Sequence, residues 1–302
     1  MHSQKLSIRF FGDAEVRAVW DNEHSKWWFS VVDIVSILSQ STDPRNYWYV
    51  MKSRLKHTES EVLTKCKGFK LLAPDGKRRL SDCLDYDGII ALAKNFPSKK
   101  ANRFIEWFTY SDETIDGKSK AKAYALFDSS LLDTVEVGTT RGLQQIHAYL
   151  FGGLYDFAGQ IRKLNIAKGG FRFAPVQFLD NTLKTIERMP ERSFDEIADK
   201  YVEMNVAHPF MEGNGRSTRV WLDLILKRNL KRCVDWSRID KRSYLSAMAE
   251  STVNPAKIKA LLQSALTDKI NDREVFMKGV DYSYYYEQED EVFAFQEDGA
   301  DD

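Results

Sequence analysis

Cysteine is scarce, with only Cys66, Cys83 and Cys233 in 302 residues. An odd number at wide spacing excludes a complete disulfide framework and a cysteine-based zinc site, leaving buried or inert thiols as the expectation. Long apolar runs are missing too. No stretch of about eighteen apolar residues occurs, so no membrane span and no membrane partner are expected. The opening Met1-His2-Ser3-Gln4-Lys5 lacks the apolar segment of a secretory signal, which points to a cytoplasmic protein. Net charge is absent, because 44 Lys+Arg balance 44 Asp+Glu, and the chain as a whole offers no broad attraction for nucleic acid or membrane. Basic residues are also missing locally: the last twenty-two residues hold no lysine or arginine, and 291–302 reads as a solvated acidic tail.

What is present supports two domains. A hydrophobic content of 43% over this length can bury a sizeable core. Ser, Asp, Glu, Gly and Lys replace the apolar pattern between Thr109 and Lys122, so a linker is placed at 113–122. It separates an α+β unit at 1–112 from a mainly helical unit at 123–290. In the first, Ile8, Phe10, Val16, Ala18 and Val19 lie in strand-like runs. Trp27 to Val31 lead into a helix, Asp43-Pro44 opens another, Ala73-Pro74-Asp75-Gly76 is a turn, and Tyr86–Asn95 and Ser98–Phe108 read as helices.

In the second unit, Leu143, Ile146, Leu150 and Leu154 predict a helix ending near Gly159. Ser193 with Glu196 forms a capping box ahead of a helix carrying Phe194, Ile197, Tyr201 and Met204. Then comes the densest stretch of the chain, His208-Pro209-Phe210-Met211-Glu212-Gly213-Asn214-Gly215-Arg216-Ser217-Thr218-Arg219. The Gly-Asn-Gly turn frees backbone N–H groups at the start of the next helix, a seat for an anion. Arg216 and Arg219, three apart on that helix, can neutralise phosphate oxygens. Glu212 suits Mg²⁺, and His208, with an ordinary pKa near neutrality, is the proton acceptor.

This segment resembles the signature of the Fic family, His-x-Phe-x-Asp/Glu-Gly-Asn-Gly/Lys-Arg-x-x-Arg, at every defining position. The resemblance implies a protein adenylyltransferase that moves AMP from ATP to a hydroxyl of a protein target or of itself. On that reading His208 is the base, Glu212 holds Mg²⁺, Gly213, Asn214, Gly215 and Arg216 bind phosphate, and Arg219 meets the γ-phosphate. The phosphate-transferring Doc branch carries lysine at the place of Gly215, so glycine favours AMP transfer. Lys168 precedes Gly169, Gly170, Phe171, Arg172 and Phe173, a hairpin signal that matches the family's target-binding flap. By itself the same segment reads as an ordinary hairpin packed on the core.

Toward the C-terminus Ser283 and Glu287 are four apart and share a helix face. They resemble the inhibitory Ser-x-x-x-Glu segment of some Fic proteins, in which the glutamate takes the second motif arginine, here Arg219. Gln288 departs from the Gly/Asn of that pattern. Such Fic proteins often self-associate, so a homo-oligomer is implied, and Tyr284, Tyr285 and Tyr286 offer hydroxyls for self-modification.

Residues Trp28 to Val35, Asp85 to Leu92 and Ser98 to Trp107 resemble the Bro-N domain of phage antirepressors, which implies DNA contact. Arg45, Lys52, Arg54, Lys56, Lys77, Arg78 and Arg79 are the phosphate-contact candidates, with Trp48 and Tyr49 among them. The alternative is a solvated basic face used to recruit protein. For the chain as a whole, two readings besides AMP transfer stay open: a DNA-binding regulator that uses the Fic site as a nucleotide sensor, and removal of AMP by water oriented at Glu287.

Overall fold

Alternating apolar residues in the first strands build a sheet with two buried faces. The computed structural model describes residues 5–57, 60–73, 76–96, 98–168, 170–288 and 292–295. The chain divides into two units, 1–117 and 118–302.

In the first unit five strands, β1 (Leu6–Phe11), β2 (Ala14–Asp21), β3 (Lys26–Ser30), β4 (Lys67–Leu72) and β5 (Arg78–Leu84), form an antiparallel sheet in the order β1-β2-β3-β5-β4. Side chains alternate across it. Val16, Ala18 and Phe29 face a core shared with helices α1 (Val31–Ser39), α2 (Pro44–Lys56), α3 (Glu61–Thr64), α4 (Tyr86–Ala93) and α5 (Lys99–Tyr110), whereas Val19 and Trp28 join Leu6, Leu71 and Cys83 in a smaller cluster. Ser30, Asp43, Asp85 and Ser98 cap their helices by accepting backbone N–H bonds, each cap contributing about 1 kcal/mol. Pro74 and Asp75 of the expected turn lie outside the described residues. Gly76 N still donates to Ala73 O at 2.9 Å.

The expected linker at 113–122 is helical from Ile115. Helix α6 (Ile115–Leu126) occupies it, because the Lys residues that broke the apolar pattern and the Ala residues beside them are strong helix formers, and only Ser119, Ala123 and Leu126 need burial.

The second unit continues with α7 (Leu131–Thr134), α8 (Thr140–Phe151), the strands β6 (Asn165–Lys168) and β7 (Phe171–Arg172), α9 (Val176–Glu187), α10 (Phe194–Ala207) and α11 (Asn214–Leu230). It closes with β8 (Cys233–Val234), a short 3₁₀ turn at Trp236–Arg238, α12 (Lys241–Glu250), α13 (Ala256–Ser264), β9 (Leu266–Thr267), α14 (Arg273–Tyr286) and β10 (Val292–Phe295). The expected helix through Leu154 stops at Phe151, since Gly152 follows and Gly153 takes φ +76°. The capping box is formed as read, with Ser193 accepting from Glu196 N and Glu196 from Ser193 N.

Helix α11 runs through the centre of this unit. Trp221, Leu222, Ile225 and Leu226 are fully buried, and so are the polar residues of its first turns, Asn214, Arg216, Ser217, Thr218 and Arg219. A helix buried nearly all round loses water as a partner for its polar groups, and Asn214, Arg216 and Arg219 bond instead to the neighbours that define the site. Residues 292–295, expected as solvated tail, form β10 and pair antiparallel with β6. Val-Phe-Ala-Phe has strong strand propensity, which the acidic residues on either side conceal in an average over the tail.

Candidate active site

The motif loop joins the end of α10 to the start of α11. His208 caps α10 in the left-handed region at φ +48°, a conformation that costs a non-glycine residue about 1 kcal/mol. Its Nδ1 lies 3.2 Å from Asn205 O. A carbonyl only accepts, so the proton sits on Nδ1 and Nε2 keeps its lone pair. Phe173, following the flap strands, stacks on the imidazole at 3.7 Å and 13°. Burial pulls the His208 pKa down to about 3, with Lys168 and Arg162 pushing the same way, so the ring is neutral at physiological pH.

Asn214 clamps the loop. It accepts from Phe210 N and donates to Phe210 O, both at 2.8 Å, so its side chain closes the turn and leaves anion contact to backbone N–H groups. The first-turn N–H groups at Asn214 and Gly215 have no acceptor within the helix. Gly213 is required where it stands: at φ +77° a Cβ would lie 2.4 Å from the Phe151 ring. Glu212 Oε1 accepts from Gly213 N and Arg216 Nη2, both at 2.8 Å, and Oε2 has no hydrogen-bond partner among the described residues.

Arg219 lies at the centre of the polar network. Nε donates to Ser283 Oγ at 2.8 Å, Nη1 to Tyr244 OH at 3.2 Å, and Nη2 to Ser283 O at 2.7 Å and to Glu287 Oε1 at 2.5 Å. Ser283 on α14 and Glu287 at its C-cap thus meet Arg219 together: their spacing puts them on one face, and contact of the glutamate with Arg219 is what the resemblance implies. The other Glu287 oxygen takes Lys168 Nζ at 3.2 Å. Burial alone would raise the Glu287 pKa, but Arg219, Lys168 and Arg216 outweigh it and hold the carboxyl well below the usual range. Gly215 fits closely under this pair. A Cβ there would sit 2.0 Å from Glu287 Oε1. His208, Gly215, Arg219, Glu287 and Lys168 line one cleft, whose apolar wall includes Met248.

Three residues that sequence reading gave no role hold this arrangement. Arg162 donates to His208 O at 2.8 Å, to Leu164 O at 2.7 Å and to Ala207 O at 3.1 Å, and also to Ala174 O, tying the loop to the flap. His147 accepts from Gly159 N on Nδ1 at 2.8 Å, which makes Nε2 the donor to Glu212 O at 2.9 Å; burial lowers its pKa to about 4. Lys168 was legible only as a basic residue before a Gly-Gly turn. Of the flap residues, Gly170 takes φ +80°, Phe171 and Arg172 are exposed on β7, and Gly169 lies outside the described residues.

In the first unit Arg45, Arg54 and Lys56 are exposed on α2, and Lys77, Arg78 and Arg79 are exposed at the start of β5. Lys52 is instead bound to Asp82 at 2.8 Å. Trp48 is no stacking platform, because it is buried with Nε1 donating to the same carboxylate at 2.8 Å, whereas Tyr49 is exposed.

Residues 138–226 match the Fic/DOC family model, and residues 15–115 match the model of the BRO family, N-terminal domain. The chain therefore carries a Fic segment and a Bro-N segment. The protein adenylyltransferase VbhT of Bartonella schoenbuchensis is 31% identical over 147 residues, covering 44% of this chain and 30% of that protein. The probable protein adenylyltransferase Fic of Salmonella typhimurium is 26% identical over 151 residues, covering 45% of this chain and 75% of the relative. This chain thus spans under a third of the first of these relatives. Among solved structures, the BepC protein of Bartonella tribocorum with bound AMPPNP aligns at 20% identity and a TM-score of 0.40, over 49% of this chain and 87% of that one. No helix among the described residues is long and apolar enough to cross a membrane.

Proposed function

We propose that the second unit transfers AMP from ATP to a hydroxyl side chain of a protein, and that Glu287 restrains it. The observation that carries this reading is His208 with Nε2 unprotonated, in one cleft with Arg219 and Gly215 at the head of α11. A site that only binds nucleotide has no use for a base. In the reaction, Nε2 accepts the proton of the target hydroxyl while that oxygen attacks the α-phosphorus. The new O–P bond forms as the bond to pyrophosphate breaks, and pyrophosphate leaves with its electron pair.

Phosphates beside the imidazole raise its pKa from the value that burial gives it, which suits a group that must take up a proton. Backbone N–H groups of the first turn of α11, with Arg216 and Arg219, stabilise charge on the phosphates. Glu212, with a side chain 33% exposed and Oε2 unengaged among the described residues, would hold Mg²⁺. Bound there, the ion would neutralise phosphate oxygens, its usual mode with one protein carboxylate and substrate ligands. Glu287 opposes all this by occupying the guanidinium that the γ-phosphate needs.

The similarity to named adenylyltransferases supports the reaction class. The test is transfer of label from α-phosphate-labelled ATP with Mg²⁺ by the intact chain, Glu287→Gly, and Glu287→Gly with His208→Ala. Label should rise in the single variant and vanish in the double. Absence of label in all three would move the reading to a nucleotide-sensing regulator. The exposed cations of α2 and β5 favour duplex DNA as a further ligand of the first unit, and loss of binding with rising salt would identify phosphate contacts.

A further inference from the structure

Strand β6 has two edges, and both are taken. On one side it pairs with β7, Ala167 opposite Arg172 and Lys168 opposite Phe171. On the other it pairs antiparallel with β10, placing Val292 opposite Lys168, Phe293 opposite Ala167, Ala294 opposite Ile166 and Phe295 opposite Asn165. Lys168 thus meets the tail twice, by register with Val292 and by its ion pair with Glu287. Four residues separate Glu287 from Val292, a reach of at most roughly 18 Å, so whatever lies along this edge of β6 starts beside Arg219 and the cleft.

From Glu287 to Asp302 the sequence is Glu-Gln-Glu-Asp-Glu-Val-Phe-Ala-Phe-Gln-Glu-Asp-Gly-Ala-Asp-Asp, without serine, threonine or tyrosine. The nearest preceding hydroxyl, on Tyr286, is buried and donates to Trp236 O and Ile239 O. A segment that docks on the flap and carries no acceptor can hold the edge without being consumed.

We propose that β10 is a built-in stand-in for the protein substrate. It occupies the edge of β6 where an extended target segment would add as a strand, and the target must displace it. The inference rests on the AMP-transfer reading and gives that reading a substrate class: an extended apolar segment flanked by acidic residues, like the tail, but bearing a hydroxyl. Because Lys168 joins the strand to Glu287, peeling β10 away also weakens the hold on Arg219, so target docking and nucleotide access are coupled and each favours the other.

A tether this short gives the tail an effective concentration on the order of millimolar, so a free peptide competes poorly with it until the strand is disabled. Successive N–H groups of a strand point in opposite directions. The double variant Phe293→Pro/Ala294→Pro of the full chain therefore removes a ladder donor whichever of the two faces β6.

The probe is a fluorescein-labelled peptide of residues 289–297, followed by anisotropy. It should bind the proline variant at least tenfold more tightly than the unaltered chain. Equal binding to the two chains, or no binding to either up to about 1 mM, overturns the proposal. In a second arm, threonine is scanned through the same peptide in the Glu287→Gly background. Label should enter at least one threonine peptide faster with the proline pair than without it; equal rates overturn the substrate role. Failure of the AMP-transfer reading looks different, as peptide binding that depends on the strand but no label from any variant.

Discussion

Glu287→Gly should make the protein less stable and a better nucleotide binder at once. Removing one member of a buried ion pair usually costs about 3–5 kcal/mol, because the other charge is left without compensation. Arg219 is not left bare here. It keeps Ser283 Oγ, Ser283 O and Tyr244 OH as acceptors, and the rings of Tyr244 and Tyr286 lie at 5.5 and 5.4 Å from its guanidinium. Water can also enter from the cleft. The expected loss is therefore about 2 kcal/mol, or roughly 4–8 °C in melting temperature for a unit of this size. The same term is what ATP must overcome in the unaltered chain, so the variant should bind ATP with Mg²⁺ up to about 30-fold more tightly. Thermal melting with and without saturating ATP and Mg²⁺ reads both effects. The variant should start lower and be raised further by nucleotide. An equal nucleotide shift in the two proteins, or a variant no less stable than the parent, would refute the assignment of Glu287 as the competitor for Arg219.

Gly215→Ala should expel the Glu287 carboxylate, since the added Cβ falls 2.0 Å from Oε1. In a double-mutant cycle by urea unfolding it should cost about 2 kcal/mol in the parent and under about 1 kcal/mol in Glu287→Gly; equal costs would remove the steric explanation. His147 gives a pH dependence. Its folded pKa, about 4, lies below the unfolded value, so the unfolded chain takes up a proton first and stability falls as pH drops from about 6.5 toward 4. Between pH 6.5 and 5 the parent should lose about 1.5 kcal/mol more than His147→Gln, which keeps one donor and one acceptor. Glu287 does not interfere in that window, because its depressed pKa confines its contribution to losses below the ordinary carboxylate range. Parallel losses in the two proteins would show that His147 is not buried neutral.

The parts of this site that were readable in sequence are those that lie next to one another in the chain. Residues 208–219 place the proposed base, the carboxylate, the turn and the cations on a single loop and helix start, an arrangement within reach of residue type and spacing. Ser283 and Glu287 were readable because helical periodicity brings two residues to one face. The rest depends on pairings that no local pattern encodes. Arg162 reaches His208 O across 46 residues, His147 reaches Glu212 O across 65, and Lys168 reaches Glu287 across 119. Arg162 and His147 bond to backbone carbonyls in these contacts, which every residue type possesses, so their partners leave no mark on composition. Strand β10 was missed for a related reason: four apolar residues were averaged with the acidic residues around them, although strand pairing needs only a short run and an available edge. Trp48, expected among surface cations, is instead drawn into the core by the large apolar area of its ring and the waiting carboxylate of Asp82. On the proposed function the division has a reason: the reacting groups lie in contiguous residues that one turn can hold rigid, whereas the proposed restraint draws on Lys168, Glu287 and β10, distant segments whose contacts can break without disturbing that turn.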